Sequence, residues 1–456
     1  MIGSVSLTTI ARVTGGKLVG SDVVFDSVST DSRTIQPGEL FIALSGPSYE
    51  GDRFVAGAHA SGAIAAVVRR LQEVALSQVQ VEDTQLALVQ VAQMNRRAFE
   101  GTVVAITGSS GKTTVKELVA HLLAGQGETL ATKGNLNNLI GVPMTLTRID
   151  ASHRFAVIEL GASALGEIAQ TAAWTQPDIA VITNAGNAHL GGFGSLENIV
   201  RAKGEIIDSL AADGVAVLNA DDLAFPLWKT RAKARKVVSF SASGVISADV
   251  YAKDIRLGDG AEFLLCSGDE NYLVQLPLQG KQNVANALAA SAVALECGMS
   301  LSVIARRLAT APRVKGRLES VMFSSGMRLI NDSYNANPAS VKAAMDVIAP
   351  LPGHRIAVLG DMAELGADAV ALHREVGAYA KALRLDELYL TGNYANDVAQ
   401  GFGAGAQCFP DKASLISAIK KVSQANLTLL VKGSRSAAME DVVNELTQTN
   451  KVVQSC

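Results

Sequence analysis

The chain has 456 residues, 48% of them hydrophobic and 18% charged, a composition that excludes a disordered chain and a length that exceeds one core, pointing to roughly three domains. Forty Lys+Arg against 43 Asp+Glu leave a net charge of -3, so no overall basic field exists for nucleic acid, and a DNA- or RNA-binding ATPase is disfavoured. Cys266, Cys297, Cys408 and Cys456 lie far apart without paired metal spacing and read as reduced thiols of a cytosolic protein.

In chain order, residues 1–16 lack the basic start and long apolar stretch of a signal peptide, and no apolar run is long enough to cross a bilayer. A cytoplasmic protein without membrane insertion is expected, as a monomer. Apolar runs at 40–44 and 63–68, separated by turn residues, predict a small α/β domain over 1–82. Residues 84–99 read as a helix entering a second domain, 83–312. There, apolar runs at 102–106, 155–158, 179–183 and 215–218 alternate with helical stretches, predicting a mostly parallel, doubly wound sheet. Polar residues close these strands, among them Glu159, Asn184 and Asn219, at the ends where open α/β sheets place ligands. A third α/β unit, 313–456, has strands predicted at 355–359, 388–390 and 427–431, with Gly360, Gly392 and Gly433 behind them.

The most informative segment is Thr107-Gly108-Ser109-Ser110-Gly111-Lys112-Thr113-Thr114, between an apolar strand and a helix-like run from Val115. Strand, glycine-rich turn, lysine, hydroxyl and helix together wrap backbone N–H groups around phosphates. Gly108 and Gly111 let the backbone approach an anion, Lys112 supplies a cation, and Thr113 can offer its hydroxyl to Mg²⁺. Ile106 stands where the common eight-residue pattern has glycine, so the loop is a shorter variant. A lone histidine such as His189 is more often a surface or packing residue. Lys203, on a predicted helix, would by itself be a solvated lysine.

Taken together, these segments resemble the Mur ligases over nearly the whole chain. The resemblance is carried by the phosphate loop, residues 133–143, Glu159-Leu160-Gly161-Ala162-Ser163, the His189 segment and residues 202–206. Residues 332–338, 359–366 and 432–436 look like the D-alanyl-D-alanine-adding branch of that family. The implied architecture is α/β in three domains: a small uridine-nucleotide domain, a central P-loop ATPase-like parallel-sheet domain and a C-terminal Rossmann-like α/β domain that delivers the dipeptide. The implied activity is ATP-dependent ligation of D-alanyl-D-alanine to UDP-N-acetylmuramoyl-tripeptide through an acyl phosphate.

The resemblance also implies roles. Gly108, Ser109, Ser110, Gly111, Lys112, Thr113 and Thr114 would hold the ATP phosphates. Thr113 and Glu159 would bind one Mg²⁺, and His189 a second together with Lys203 carbamylated by CO₂. Asn137 and Asn138 would face the γ-phosphate and the reacting carboxylate. Asn283 would touch the base, with Asn286 nearby; Gln282 stands where many relatives have histidine. Arg317 would approach the nucleotide and Asp332 the ribose. Asn335, Asn337, Lys432, Ser434 and Arg435 would surround the dipeptide or acyl phosphate. Ser32, Arg33 and Gly46 would take the uridine-nucleotide end, beside Asp52, where relatives often have histidine. Closure of the last domain is expected to hinge near 311–315. A folylpolyglutamate-synthase-like ligase and a non-catalytic nucleotide-binding relative are the alternatives; the third residue of the tripeptide stays open.

Overall fold

The computed structural model describes residues 1–46, 50–186, 190–422, 425–449 and 452–453. Its first unit is a five-stranded sheet in the order Lys17–Val19, Ser77–Gln80, Ala65–Val68, Leu40–Ile42, Val28–Ser29. All pairs are parallel except Lys17–Val19 with Ser77–Gln80. Ala65–Val68 is buried along its whole length, as expected of a parallel strand covered on both faces. The helix Thr84–Arg97 starts where the Asp83 side chain accepts the N–H groups of Gln85 and Leu86. Its Ala87, Leu88 and Val91 enter the core of this first sheet, whereas Ala92 joins the next core. One helix therefore belongs to both units.

The central sheet has nine strands. Thr129–Ala131, Phe155–Glu159, Thr102–Thr107, Ile179–Ile182, Val215–Asn219, Lys236–Ser241 and Val250–Leu257 run parallel in that spatial order. Ala261–Ser267 and Glu270–Leu276 complete it as an antiparallel meander. Val104 and Ile106 point into one core layer, and Val103 and Ala105 into the other, the two-residue alternation of a doubly wound strand. The four parallel strands expected from the sequence are present; Thr129–Ala131, Lys236–Ser241, Val250–Leu257 and the meander are additions. The meander's Gly268-Asp269 turn between two apolar-polar runs is a hairpin signal the sequence carries.

Thr102–Thr107 connects onward to Thr129–Ala131 on one side of it, whereas its neighbour Ile179–Ile182 connects onward to Val215–Asn219 on the other. The C-terminal end of Thr102–Thr107 lies at the topological switch point, where such sheets open a crevice for ligands.

The third unit is a seven-stranded sheet in the order Ala406–Phe409, Glu387–Thr391, His354–Leu359, Leu427–Lys432, Arg328–Asp332, Glu319–Phe323, Val452–Val453. The first five are parallel, and Glu319–Phe323 pairs antiparallel on both sides. Among the described residues no helix is long and apolar enough to cross a membrane.

Candidate active site

The phosphate loop occupies the switch point. Gly108 has φ +150° and Gly111 φ +81°, and a Cβ on them would stand 1.9 Å from Thr183 Oγ1 and 2.4 Å from Asn286 Oδ1. Glycine is thus required twice over at Gly111, by conformation and by space. The neighbouring strand end holds the loop: Thr183 Oγ1 donates to the Ser110 carbonyl at 2.6 Å, and Asn184 Oδ1 accepts the Ser110 N–H at 3.1 Å. Lys112 opens the helix Lys112–Leu123, and its Nζ donates to the Gly108 carbonyl at 2.7 Å. Burial lowers its pKa, while the nearby Glu159 charge acts the other way. Gly111→Ala is expected to weaken ADP binding at least about tenfold, since strain and overpacking at one position each cost about 1–3 kcal/mol; calorimetry checks this, and unchanged affinity would show that the loop yields freely.

Glu159 ends the neighbouring strand with only 2% of its surface exposed. Its Oε1 accepts Asn137 Nδ2 at 2.7 Å, but Oε2 is buried with no hydrogen-bond partner. A buried carboxylate oxygen left bare is costly. The arrangement fits a cation that completes it, with the Thr113 hydroxyl at the start of the same helix as Lys112. Asn138 is exposed, and its Oδ1 accepts the N–H groups of Ile140 and Gly141 at 3.2 and 2.8 Å, capping the helix Gly141–Leu146.

Lys203 projects inward from the helix Leu196–Asp208 and is 1% exposed. Burial brings its pKa down to about 7, with the like charge of Lys112 adding and Glu167 and Glu205 opposing. Its Nζ lies 5.2 Å from the centre of the Phe193 ring and makes no ion pair among the described residues. The solvated lysine that helical position alone suggests is therefore absent. His189 lies outside the described residues. Among the described residues no group of three His, Cys, Asp or Glu side chains could hold a metal.

A cavity of about 740 Å³ separates the central unit from the third. Ser109 to Thr114 form its floor, with Asn283 and Asn286 from the helix Lys281–Glu296. Those two asparagines form a buried chain: Asn286 Nδ2 donates to Asn283 Oδ1 at 3.0 Å, and Asn283 Nδ2 to the Gln279 carbonyl at 2.8 Å. Gln282 also lines the cavity, as do Thr183 and Phe240, which the sequence reading did not single out. Their positions at or just past strand ends were the available signal.

Arg317, Asp332, Asn335, Asn337, Lys432 and Arg435 form the opposite wall. Arg317 crosses the gap: its guanidinium lies 4.2 Å over the Tyr334 ring and donates to Thr113 Oγ1 at 3.3 Å. Asp332 and Lys432 make a buried ion pair at 2.5 Å, and Lys432 Nζ also donates to the Asn335 carbonyl at 2.8 Å. Burial depresses the Lys432 pKa against the pull of Asp332. Asn337 caps the helix Pro338–Ile348 in a reciprocal box with Ser340. Ser434 is buried outside the lining, its N–H on the Asp361 carbonyl at 2.9 Å. Arg435 pairs with Glu440. Two further contacts join this unit to the central one, Arg328 with Asp259 and the Gly191 N–H with the Glu364 carbonyl at 2.9 Å.

Ser32, Arg33 and Gly46 are on the first unit, past the C-terminal ends of Val28–Ser29 and Leu40–Ile42, and do not line this cavity. Arg33 pairs with Asp31 at 2.7 Å, which holds the Asp31 carboxyl down at about 2. The turn reaches the central unit through Thr30 Oγ1, 3.6 Å from Met144 Sδ on the helix that Asn138 caps. Asp52 accepts the Arg69 and Arg70 N–H groups at 3.1 and 3.0 Å, a structural use of the carboxylate.

Comparison with known proteins gives three family models: "Mur ligase family, catalytic domain" over residues 24–104, "Mur ligase middle domain" over 106–294, and "Mur ligase, glutamate ligase domain" over 316–435. The UDP-N-acetylmuramoyl-tripeptide–D-alanyl-D-alanine ligase of Escherichia coli is 44% identical, over 98% of this chain and 99% of that one. The crystal structure of MurF from Acinetobacter baumannii superposes with a TM-score of 0.92 at 35% identity, covering 98% of this chain and 99% of that one. MurF from Thermotoga maritima, solved with ADP, gives 0.82 at 27% identity over 92% and 96%.

Proposed function

The chain belongs to the Mur ligase family, and we propose that it joins D-alanyl-D-alanine to UDP-N-acetylmuramoyl-tripeptide at the expense of ATP, in cytoplasmic peptidoglycan precursor synthesis. The observation that carries this reading is the bare buried oxygen of Glu159 next to a phosphate loop that faces cationic Arg317 and Lys432 across one cavity.

In this reading the loop N–H groups and Lys112 bind the β- and γ-phosphates, Asn283 meets the base with Asn286 beside it, and Asp332 reaches the ribose. Thr113 and Glu159 would hold one Mg²⁺, and His189 with carbamylated Lys203 a second. Bound Mg²⁺ offsets the repulsion between an anionic nucleophile and the phosphates. Asn137 fixes Glu159 and borders the path of the tripeptide, whose uridine end rests on Ser32, Arg33 and Gly46. The tripeptide carboxylate attacks the γ-phosphorus, the bond to ADP breaks, and an acyl phosphate forms. The neutral dipeptide amine attacks the acyl carbon, loses its proton, and the tetrahedral intermediate expels phosphate. No side chain serves as covalent nucleophile. Arg317 approaches the nucleotide, while Asn335, Asn337, Lys432 and Arg435 orient the acceptor and the acyl phosphate and exclude the water that would hydrolyse it, with buried Ser434 holding their segment in place.

Phosphate release by purified protein, with the muramoyl tripeptide and either D-alanyl-D-alanine or glutamate as acceptor, tests the assignment. Release with the dipeptide alone is expected; release with glutamate instead would overturn it.

Lys203 fits a carbamate because a buried amine with a pKa near 7 keeps a substantial neutral fraction, the form that captures CO₂. Removing bicarbonate from the buffers is expected to lower activity at least about tenfold, within the usual cost of losing a metal-site group. Labelled bicarbonate should give a carbamate NMR signal that Lys203→Ala lacks; an identical signal in the variant would exclude this lysine. Closure about residues 311–315 should make the particle smaller in solution scattering when nucleotide and muramoyl substrate are both bound. An unchanged profile would contradict the hinge.

A further inference from the structure

The helix Lys112–Leu123 sends a second lysine inward. Lys116 is 1% exposed, and lysine is almost never buried so fully without partners. Its Nζ donates to the Thr132 carbonyl at 2.6 Å and pairs with Glu117 at 2.6 Å. It does not line the cavity, so any part in the chemistry runs through what it holds.

Thr132 follows the strand Thr129–Ala131. Its N–H donates to the Val157 carbonyl at 3.0 Å, as in a parallel ladder that continues past Ala131. The next bond of an uninterrupted ladder would join the Glu159 N–H to the Thr132 carbonyl. That carbonyl is committed to Lys116 instead, and the Thr132 hydroxyl takes the Glu159 N–H at 2.9 Å. The chain then leaves the sheet and returns Asn137 to Glu159 Oε1 at 2.7 Å. Both supports of Glu159, its backbone anchor and its asparagine, therefore begin at the residue Lys116 grips. Lys116 follows Lys112 by four positions, one helical turn, so one rigid element carries the phosphate-binding groups and the grip on the carboxylate.

We propose that Lys116 is a positioning residue for Glu159: acting through Thr132, it sets where the bare carboxylate oxygen stands relative to Thr113, and so how tightly Mg²⁺ is held with nucleotide. This rests on Thr113 and Glu159 as the Mg²⁺-holding pair. Atoms that orient a metal ligand without touching the metal commonly change its affinity about 10- to 100-fold when removed.

The test is calorimetric binding of ADP to the full chain, in excess chelator and again in Mg²⁺, for Lys116→Met, Thr132→Val and Thr132→Ser. Chelator affinity should stay within about twofold of the parent in all three. The gain in affinity on adding Mg²⁺ should fall about tenfold in Lys116→Met and Thr132→Val. Thr132→Ser keeps the hydroxyl and should keep the full gain. A parental gain in both altered proteins, or equal losses with and without Mg²⁺, would overturn the proposal and leave Lys116 a packing residue. If Lys116→Met does not fold, the Thr132→Val and Thr132→Ser pair decides alone. Absence of any Mg²⁺ gain in the parent would instead overturn the metal assignment of Thr113 and Glu159, and this inference with it.

Discussion

Glu159→Gln is expected to slow phosphate release by a factor on the order of 10² to 10³, the usual cost of removing one preorganised charge-stabilising group, while leaving the ligand-free protein more stable. The two effects share a cause. The strand end buries a carboxylate with one oxygen bare. Glutamine keeps the oxygen that Asn137 binds at 2.7 Å and removes the charge that nothing else among the described residues bonds. Glutamine leaves an amide N–H unpaired where Oε2 stood, but taking away the buried charge outweighs that cost, so urea denaturation of the apo variant should show a higher midpoint. Stability and activity then move in opposite directions, as at other sites that store strain for function. A variant of parental activity would remove Glu159 from the chemistry. A destabilised apo variant would mean that the carboxylate charge is already compensated without ligand, as by nearby Lys112.

Lys432→Met is expected to cost about 3–5 kcal/mol of stability, the range for breaking a buried ion pair from one side. Its partner Asp332 is nearly inaccessible, and the lysine also secures the Asn335 carbonyl at the cavity wall. The stranded Asp332 charge is the main penalty. Adding Asp332→Asn to Lys432→Met should recover a large part of the loss, because the second change removes that charge. The denaturation midpoints of the two single variants and the double variant give the coupling. Additive losses would show that the pair acts as two independent residues.

How much was legible in the sequence depended on how local the signal was. Residues 102–123 declare themselves because strand, glycine turn, lysine and helix are contiguous, and a phosphate loop needs little else. Asp332 and Lys432 are a hundred positions apart and meet only because Arg328–Asp332 lies beside Leu427–Lys432 in register. No periodicity states that sheet order. Lys203 reads as a surface lysine from helical position alone; its burial comes from Phe193 and the surrounding core. Asn138 and Asn337 show the converse. Both carry motif resemblance, and both side chains serve as helix caps, a use that asparagine before a helix suggests without any ligand. Lys116 went unremarked because a lysine one turn into a helix carries no local mark of burial.

In this cavity the tripeptide carboxylate is expected to become an acyl phosphate, a step that leaves a trace in the released phosphate. Tripeptide labelled with heavy oxygen in its terminal carboxylate is incubated with ATP, Mg²⁺, bicarbonate and D-alanyl-D-alanine. One labelled oxygen should leave with the released phosphate as the amide forms. Phosphate free of label, or no phosphate at all from well-folded protein, would contradict it.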